Sequence, residues 1–307
     1  MIIETQHLGK RYGGVDVLRD LNLQVPEGSA FALVGTNGAG KTTTMRILMN
    51  ILQPDSGSAS VLGTNSRELK PCDFMQIGYV SENQVLPERL TIAQYFAYLR
   101  ALYPNWDTGL EKSMRRKMEL PPDRGLSKLS HGMRMKTVLV AGLAFRPKLL
   151  VLDEPLSGMD TLTRDEVIEG LLEQADETTI LISSHELAEI ENFTSHIAFM
   201  DKGTLHFQES IDALRDRFRE IHVTLSAKKT LPANCPGSWL FPQISGHTLR
   251  FVESDFIDME KTRQRLNEYF GAVQVEADFM SLREISKALI KSSRDAATQL
   301  PDREAAA

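Results

Sequence analysis

The spacing of hydrophobic positions changes along the chain, and each spacing predicts a type of element. Short β-type runs at 21–25 and 30–34 are separated by the turn signal Pro26-Glu27-Gly28. Residues 41–52 carry apolar side chains at three- and four-residue spacing, which predicts an amphipathic helix. Continuous apolar or β-branched runs at 149–152 and 179–183, joined by a predicted helix over 163–175, are typical of central parallel strands buried on both faces. This pattern predicts an α/β fold.

Two further regions have other patterns. Residues 85–145 are predicted to be largely helical, with helices over 91–103 and 113–120. Beyond residue 215, predicted strands at 220–225, 248–252 and 272–276 alternate with a helix over 257–269 and a last helix that Ser281 and Glu284 would cap. We therefore predict a large domain over 1–214, a small α+β domain over 215–293 and a disordered tail over 294–307, where Leu300 is the only large apolar residue.

Composition narrows the class of protein. The chain has 307 residues, of which 42% are hydrophobic and 25% charged, as expected of a globular protein with two domains. A net charge of -6 argues against a nucleic-acid binder that covers phosphates with basic side chains. Cys72 and Cys235 lie far apart, so neither a disulfide framework nor a zinc site is implied, and a reducing compartment fits. The longest apolar stretch, 138–145, is far below the roughly 18 residues that cross a bilayer, so we expect any membrane role to come through a partner.

A glycine-rich loop between a predicted strand and a predicted helix carries the first chemistry. Gly35, Thr36, Asn37, Gly38, Ala39, Gly40, Lys41 and Thr42 match the phosphate-binding pattern GxxxxGK[ST], and Thr43 comes next. Glycines let backbone N–H groups face a phosphate, and the positive end of the adjoining helix dipole points at the same oxygens. Lys41 adds a charge between the β- and γ-phosphates, and the Thr42 hydroxyl is placed to ligate magnesium. We therefore predict an ATP and magnesium site.

Two carboxylates end the predicted strand at 149–152. Open α/β sheets bind ligands at the carboxyl ends of their strands. Asp153 is predicted to hold magnesium through its water shell, and Glu154 to orient or deprotonate the attacking water. His185 ends the predicted strand at 179–183, from where a neutral imidazole could reach the γ-phosphate. A lone histidine at a strand end is more often a satisfied structural residue, but its placement beside the phosphate edge of the sheet reverses that preference and favours a catalytic role for His185.

Together these residues resemble the ATPase subunits of ATP-binding cassette (ABC) transporters. The resemblance covers 2–213 and depends above all on the signature segment, Leu129-Ser130-His131-Gly132-Met133, which precedes the acidic strand end, Ser157-Gly158-Met159-Asp160 and His185. It implies a P-loop NTPase cassette with an antiparallel β subdomain and a helical subdomain at about 85–145. In this family Ser130 and Gly132 would contact the γ-phosphate bound by a second subunit, which makes ATP the contact between two chains.

The resemblance implies further site residues. Tyr12 stands where the family places an aromatic ring that stacks on adenine, although a sheet-edge aromatic is the alternative. Asp160 would link the two ATP sites across the dimer, or simply cap a turn or helix. The surface over 82–98 would receive a short helix of a membrane subunit; an apolar stripe facing the core explains Val85, Leu86, Leu90, Tyr95 and Phe96 equally well. The small C-terminal domain, including Ser281 to Ile285, more weakly resembles the accessory domain of exporter ATPases.

Two departures from the family pattern bear on turnover. His131 and Met133 stand where Gly and Gln are usual. Glu82 stands where a Gln usually contacts magnesium and the attacking water; Glu can still ligate magnesium but adds negative charge, and Asn83 and Gln84 are alternative candidates for this role.

The resemblance implies an ATP-hydrolysing subunit, dimeric with itself or with another ATPase, that powers a separate transmembrane permease. It would act in export, on the cytoplasmic face of the membrane and without nucleic acid. Two alternatives remain at this point: a soluble ABC protein acting on ribosomes or DNA, and an ATP-gated regulatory factor. The first usually joins two cassettes or inserts coiled coils, whereas this chain has one cassette and no heptad run.

Overall fold

The computed structural model describes residues 1–298 except 176, 186, 233 and 272, and it describes only the backbone of 188, 273 and 293–298. The chain forms two compact units, the first being Met1–Gln208 and the second beginning at Glu209. The sequence-based boundary, after residue 214, falls slightly further along the chain.

Strands and helices alternate along the first unit. Its strands are β1 (Ile3–Tyr12), β2 (Val15–Leu21), β3 (Gln24–Val25), β4 (Ala30–Gly35), β5 (Ser56–Val61), β6 (Thr64–Asn65), β7 (Ile77–Ser81), β8 (Leu149–Asp153), β9 (Thr179–Ser184), β10 (His196–Asp201) and β11 (Thr204–Ser210), the last of which crosses the unit boundary. Its helices are α1 (Lys41–Leu48), α2 (Pro71–Phe74), α3 (Ile92–Leu102), α4 (Thr108–Lys117), α5 (His131–Leu143) and α6 (Thr161–Leu172), with short 3-10 turns at Ser66–Glu68, Leu126–Lys128 and Leu187–Glu189.

The central sheet of the first unit positions the candidate site. Its strand order is β11-β10-β4-β9-β8-β7, and β10, β4, β9, β8 and β7 run parallel to one another. Every residue of β4, β8 and β9 is buried, which accounts for their continuous apolar runs. The carboxyl ends of these strands meet at one edge, and the segments just beyond them carry the predicted chemistry.

A second sheet, mainly antiparallel, packs into the same core. Its order is β2-β1-β5-β6, with β3 also paired to β1. The sequence patterns did not reveal β1 and β5, because β1 mixes buried and exposed positions irregularly and β5 is rich in serine. The predicted strand over 21–25 was wrong in its bounds: β2 ends at Leu21, and the chain resumes as β3 at Gln24. The predicted α/β fold with an antiparallel β subdomain is confirmed.

Helices fill most of the segment between β7 and β8. α4 begins at Thr108, earlier than the predicted residue 113, because the Asp107 carboxylate accepts hydrogen bonds from the N–H groups of Gly109 and Leu110. Thr91 and Gln94 form a capping box at the start of α3. Leu86, Tyr95 and Phe96 are buried core residues, whereas Val85 is 90% exposed. The proposed apolar groove is therefore mostly core.

The second unit is an α+β fold of its own. It contains α7 (Ile211–Arg217), β12 (Arg219–Leu225), β13 (Trp239–Ser245), β14 (Thr248–Glu253), α8 (Met259–Phe270), β15 (Val273–Phe279) and α9 (Leu282–Thr298). The strands form an antiparallel sheet in the order β13-β14-β12-β15, and alternate residues of β12 and β14 pack against α8 through Leu266 and Phe270. The tail predicted to be disordered from residue 294 is helical as far as Thr298, and its remainder lies outside the described residues.

Candidate functional site

The loop from β4 to α1 has the backbone that its glycines predict. Gly38 and Gly40 have φ angles of +83° and +104°, a left-handed region that favours glycine. A Cβ atom on Gly35 would lie 2.2 Å from the carbonyl oxygen of Met200, so this position has no room for a side chain. Neighbouring strands therefore hold the loop closely, with its N–H groups at the start of α1.

Lys41 is buried at the start of α1. Its ammonium donates to the carbonyl oxygen of Gly35 at 2.7 Å and lies 3.0 Å from Oε1 of Glu154. The Lys41 side chain is only 5% exposed. Its charge is thus concentrated at the edge of the sheet, where a phosphate could compete with Glu154 for it.

Asp153 is tied to two hydroxyl groups. The hydroxyls of Thr42 and Ser183 donate to Oδ1 of Asp153 at 3.0 and 2.9 Å. Burial raises the pKa of the Asp153 carboxyl above its usual 3.8, the two hydroxyl hydrogen bonds oppose this rise, and the charge of Glu154 adds to it. A nearby cation would therefore stabilise the charged form of the Asp153 carboxyl.

Glu154 and His185 form a pair across the ends of β8 and β9. Nδ1 of His185 lies 2.9 Å from Oε2 of Glu154, while the other oxygen of Glu154 faces Lys41. The Glu154 N–H donates to the Ser183 hydroxyl at 2.9 Å. Glu154 has a φ of +50°, a strained conformation for a residue other than glycine. Both carboxylate oxygens of Glu154 are therefore held in defined positions.

These groups surround a cleft of about 440 Å³. We call it the P-loop cleft; it is lined by residues 37–43 together with Val17, Glu82, Glu154, Ser157 and His185. Asp153 lies just behind the lining, bonded to Thr42. Besides Asp153, six of the predicted residues are not among the described lining residues: Tyr12, Gly35, Thr36, Ser130, Gly132 and Asp160.

Glu82 and its neighbours face different cavities. Glu82 lines the P-loop cleft, and its N–H donates to the carbonyl oxygen of Asp153 at 3.1 Å. Asn83 and Gln84 instead line a second cavity of about 630 Å³, which Glu82 also borders. Of the three candidates, only Glu82 is placed to act in the P-loop cleft.

The signature segment begins α5 and packs against the loop that leads into α6. The Ser130 hydroxyl caps α5 by accepting from the N–H of Met133 at 3.3 Å. Nε2 of His131 donates to the carbonyl oxygen of Ser157 at 3.0 Å. A Cβ atom on Gly132 would lie 2.7 Å from Cγ2 of Thr163, so glycine is the residue that fits.

Asp160 and Tyr12 keep both of their interpretations. Asp160 caps α6, with its carboxylate accepting from the N–H and the hydroxyl of Thr163 at 3.0 and 2.9 Å. Tyr12 is 47% exposed at the end of β1, with the Lys10 ammonium 5.6 Å from the ring centroid. The capping of α6 does not prevent Asp160 from also contacting a second subunit. The exposed ring of Tyr12 is accessible for stacking.

Sequence reasoning missed three residues of the site. Ser183 connects Asp153 to the backbone of Glu154, and the only signal for it was a pair of serines at the end of an apolar strand. Val17 and Ser157 also line the P-loop cleft, and Ser157 belongs to a segment that the resemblance included without giving this serine a role. Their positions result from strand packing, which local sequence does not report.

The oxygen donors fit magnesium. Mg²⁺ prefers oxygen ligands and commonly keeps several waters beside one or two protein ligands and substrate phosphates. The Thr42 hydroxyl and the Asp153 carboxylate offer such a partial set. Among the described residues there is no cluster of three or more His, Cys, Asp and Glu side chains arranged for a metal ion. In the same part of the chain, each helix is too short or too polar to cross a bilayer.

Comparisons with known proteins agree with this geometry. Residues 18–157 match the family model described as ABC transporter. The chain is 31% identical to the ABC transporter ATP-binding protein YtrB of Bacillus subtilis, over 75% of this chain and 79% of that protein. It is 33% identical to the bacitracin transport ATP-binding protein BcrA of Enterococcus faecalis, over 71% of this chain and 72% of the relative. A solved ATP-binding subunit of an ABC transporter superposes with a TM-score of 0.64 at 26% identity, covering 70% of this chain and 92% of that structure.

Proposed function

The chain belongs to the family of ABC transporter ATP-binding proteins, and we propose that it binds ATP between two subunits and powers the export of a solute through a separate permease. It is an ATPase subunit of a transporter. Its glycine-rich loop, the acidic end of β8 and His185 supply the groups that phosphate binding and hydrolysis require.

One observation carries the proposal: Glu154 lies between Lys41 and His185. The carboxylate has Lys41 at 3.0 Å on one oxygen and His185 at 2.9 Å on the other, at the edge of the P-loop cleft. A base in this position can take the proton of a water that attacks the γ-phosphate. Lys41 and the N–H groups of residues 35–43 would hold the phosphates, and His185 would donate to the γ-phosphate.

Magnesium would be held by the Thr42 hydroxyl and by Asp153, with Glu82 as a further oxygen donor from the end of β7. When bound, the ion neutralises the charge of the phosphate oxygens. The raised pKa of Asp153 supports this role, because a cation would offset the cost of the buried negative charge.

A second subunit would complete the site. Ser130 and Gly132 lie at the start of α5, outside the described lining of the P-loop cleft, although they stand at the beginning of a helix suited to anions. We propose that they bind the γ-phosphate held by the other subunit, that Asp160 lies at the contact between the two sites and that Tyr12 stacks on adenine. The second subunit would be another copy of this chain or a different ATPase.

The permease partner would place the ATPase on the cytoplasmic face of the membrane. Val85 is exposed and lies close to Glu82 in sequence. A permease that contacts Val85 could therefore respond to changes in the P-loop cleft. The bacitracin transport relative supports transport across a membrane as the coupled process. The net charge of -6 argues against a nucleic-acid partner.

The test combines hydrolysis with assembly. The purified chain is expected to release phosphate from ATP only with a divalent cation and to form dimers with ATP when hydrolysis is blocked. If a neighbouring gene encodes a multi-spanning protein, the chain expressed together with that protein should co-purify with it from membranes. An active ATPase that remains monomeric under every nucleotide condition would remove the two-subunit mechanism, and a failure to join any membrane protein would favour a regulatory role.

A further inference from the structure

Behind the P-loop cleft, three side chains form a connected polar chain. Nη2 of Arg164 in α6 lies 2.9 Å from Oε1 of Glu189. The Ser184 hydroxyl donates to the other oxygen of Glu189 at 3.1 Å. Only 6% of the Glu189 side chain is exposed, so its charge is held largely away from water. Both carboxylate oxygens have a partner, as a buried charge requires.

Both ends of this polar chain lie close in sequence to residues that line the P-loop cleft. Ser184 ends β9 and directly precedes His185, whose Nδ1 contacts Glu154. At the other end, Nη2 of Arg164 lies 3.5 Å from the carbonyl oxygen of Met159, in the loop after Glu154. The polar chain therefore joins the two segments that carry the catalytic carboxylate and the histidine.

A purely structural ion pair is the competing explanation, and the molecule contains a good example of one. Glu111 has the same 6% side-chain exposure, pairs with Arg100 at 2.6 Å and accepts from the indole of Trp106 at 2.9 Å. That pair joins α3 and the start of α4, and neither residue is among the described lining of the P-loop cleft. It provides a matched control for the energetic cost of losing a buried carboxylate.

We infer that Glu189 is a positioning residue for ATP hydrolysis, which holds the end of β9 so that His185 faces Glu154, and that Arg164 anchors it. This inference rests on the proposed function. Glu189 lies outside the described lining of the P-loop cleft and acts through Ser184 and His185. A displacement of a reacting group by about 1 Å can cost up to about a hundredfold in rate, so a loss of geometry here should affect turnover more than binding.

The experiment compares Glu189→Gln with Glu111→Gln in the full chain. We expect Glu189→Gln to lower kcat about tenfold while KM for ATP stays within about twofold, since binding relies on the loop at 35–43. Glu111→Gln should lower the melting temperature by about as much as Glu189→Gln does. It should nevertheless leave kcat within about twofold of the parent. In a His185→Ala background, Glu189→Gln should cause little further loss, because it acts through that histidine.

Three results would overturn the inference while leaving the proposed ATPase intact: an unchanged kcat in Glu189→Gln, an equal loss in Glu111→Gln, or a full further loss in the His185→Ala background. If Glu189→Gln does not fold, Ser184→Ala removes one hydroxyl only. It should then lower kcat about threefold at unchanged KM, and an unchanged kcat would again reject the role. If the parent chain itself does not hydrolyse ATP, the proposed function fails, and this inference fails with it.

Discussion

The ammonium nitrogen of Lys41 lies 3.0 Å from Oε1 of Glu154, so the cation proposed to bind phosphate is paired with the carboxylate proposed to activate water. Both side chains are largely buried, where such a pair interacts more strongly than on the surface. An incoming triphosphate must share or replace this contact. We therefore expect nucleotide binding to release Glu154 from Lys41, so that the carboxylate can act on the proposed attacking water.

The variant Glu154→Gln separates ATP binding from ATP hydrolysis. Glutamine cannot accept a proton as the carboxylate does, so ATP hydrolysis should fall by roughly a hundredfold or more. Lys41 loses its charged partner, and ATP should bind at least as tightly as before. Phosphate release, nucleotide titration and size-exclusion chromatography measure these effects, the last by a nucleotide-trapped dimer. Glu173→Gln, at an exposed position, serves as the control; a rate in Glu154→Gln close to that of the parent would exclude Glu154 as the base.

Asp153→Asn tests the buried carboxyl. Because the pKa of Asp153 is raised in the folded chain, the folded state holds this proton more tightly than the unfolded state. The folded state is therefore favoured below the usual carboxyl pKa of 3.8 and loses stability as pH rises through the raised value. Asn can still accept from Thr42 and Ser183, so we expect a higher melting temperature at neutral pH.

The gain from Asp153→Asn should shrink as pH falls toward 3.8, while magnesium-dependent hydrolysis is lost at every pH. Melting curves recorded without nucleotide, from neutral pH down toward 3.8, follow this change. Asp165→Asn, at an exposed position of α6, controls for a general change of charge. A gain in melting temperature that is the same at each pH would contradict a raised pKa of Asp153 in the folded chain.

Gly132→Ala tests the contact between α5 and α6. The added Cβ would meet Cγ2 of Thr163 at 2.7 Å, so the start of α5 must shift and activity should fall. Thr163→Ser removes that methyl group and keeps the hydroxyl that bonds Asp160. The double variant should regain much of the lost activity if the defect is steric. Activity that stays low in the double variant would instead show that Gly132 itself must contact the phosphate.

Tyr12→Ala distinguishes a stacking ring from a structural one. Loss of base stacking is worth about 1 to 3 kcal/mol in nucleotide-binding systems, which corresponds to an increase in Kd for ATP of about 5- to 150-fold. Tyr12→Phe keeps the ring and should bind like the parent. A lower melting temperature with unchanged Kd would show that Tyr12 serves the edge of the sheet.

Local sequence predicted the parts of the site that are contiguous in the chain. The loop at 35–42 and the pair Asp153 and Glu154 each carry their own geometry, because glycines permit the left-handed turns and a buried strand ends where its apolar run ends. Strand β1 and the early start of α4 escaped prediction. Strand β1 depends on burial by other strands, and the start of α4 depends on the single cap Asp107.

By itself, the sequence determined the cassette and its family, and it predicted the candidate phosphate-binding and acidic residues, since these depend on residue type at short spacing. Only the tertiary structure decided which of them meet. It placed Glu82 in the P-loop cleft and Gln84 in a separate cavity, and it tied Ser183 to Asp153 and Glu189 to Arg164. The physical reason is that contacts between strands far apart in the chain depend on how the sheet is ordered and packed, which no short segment encodes.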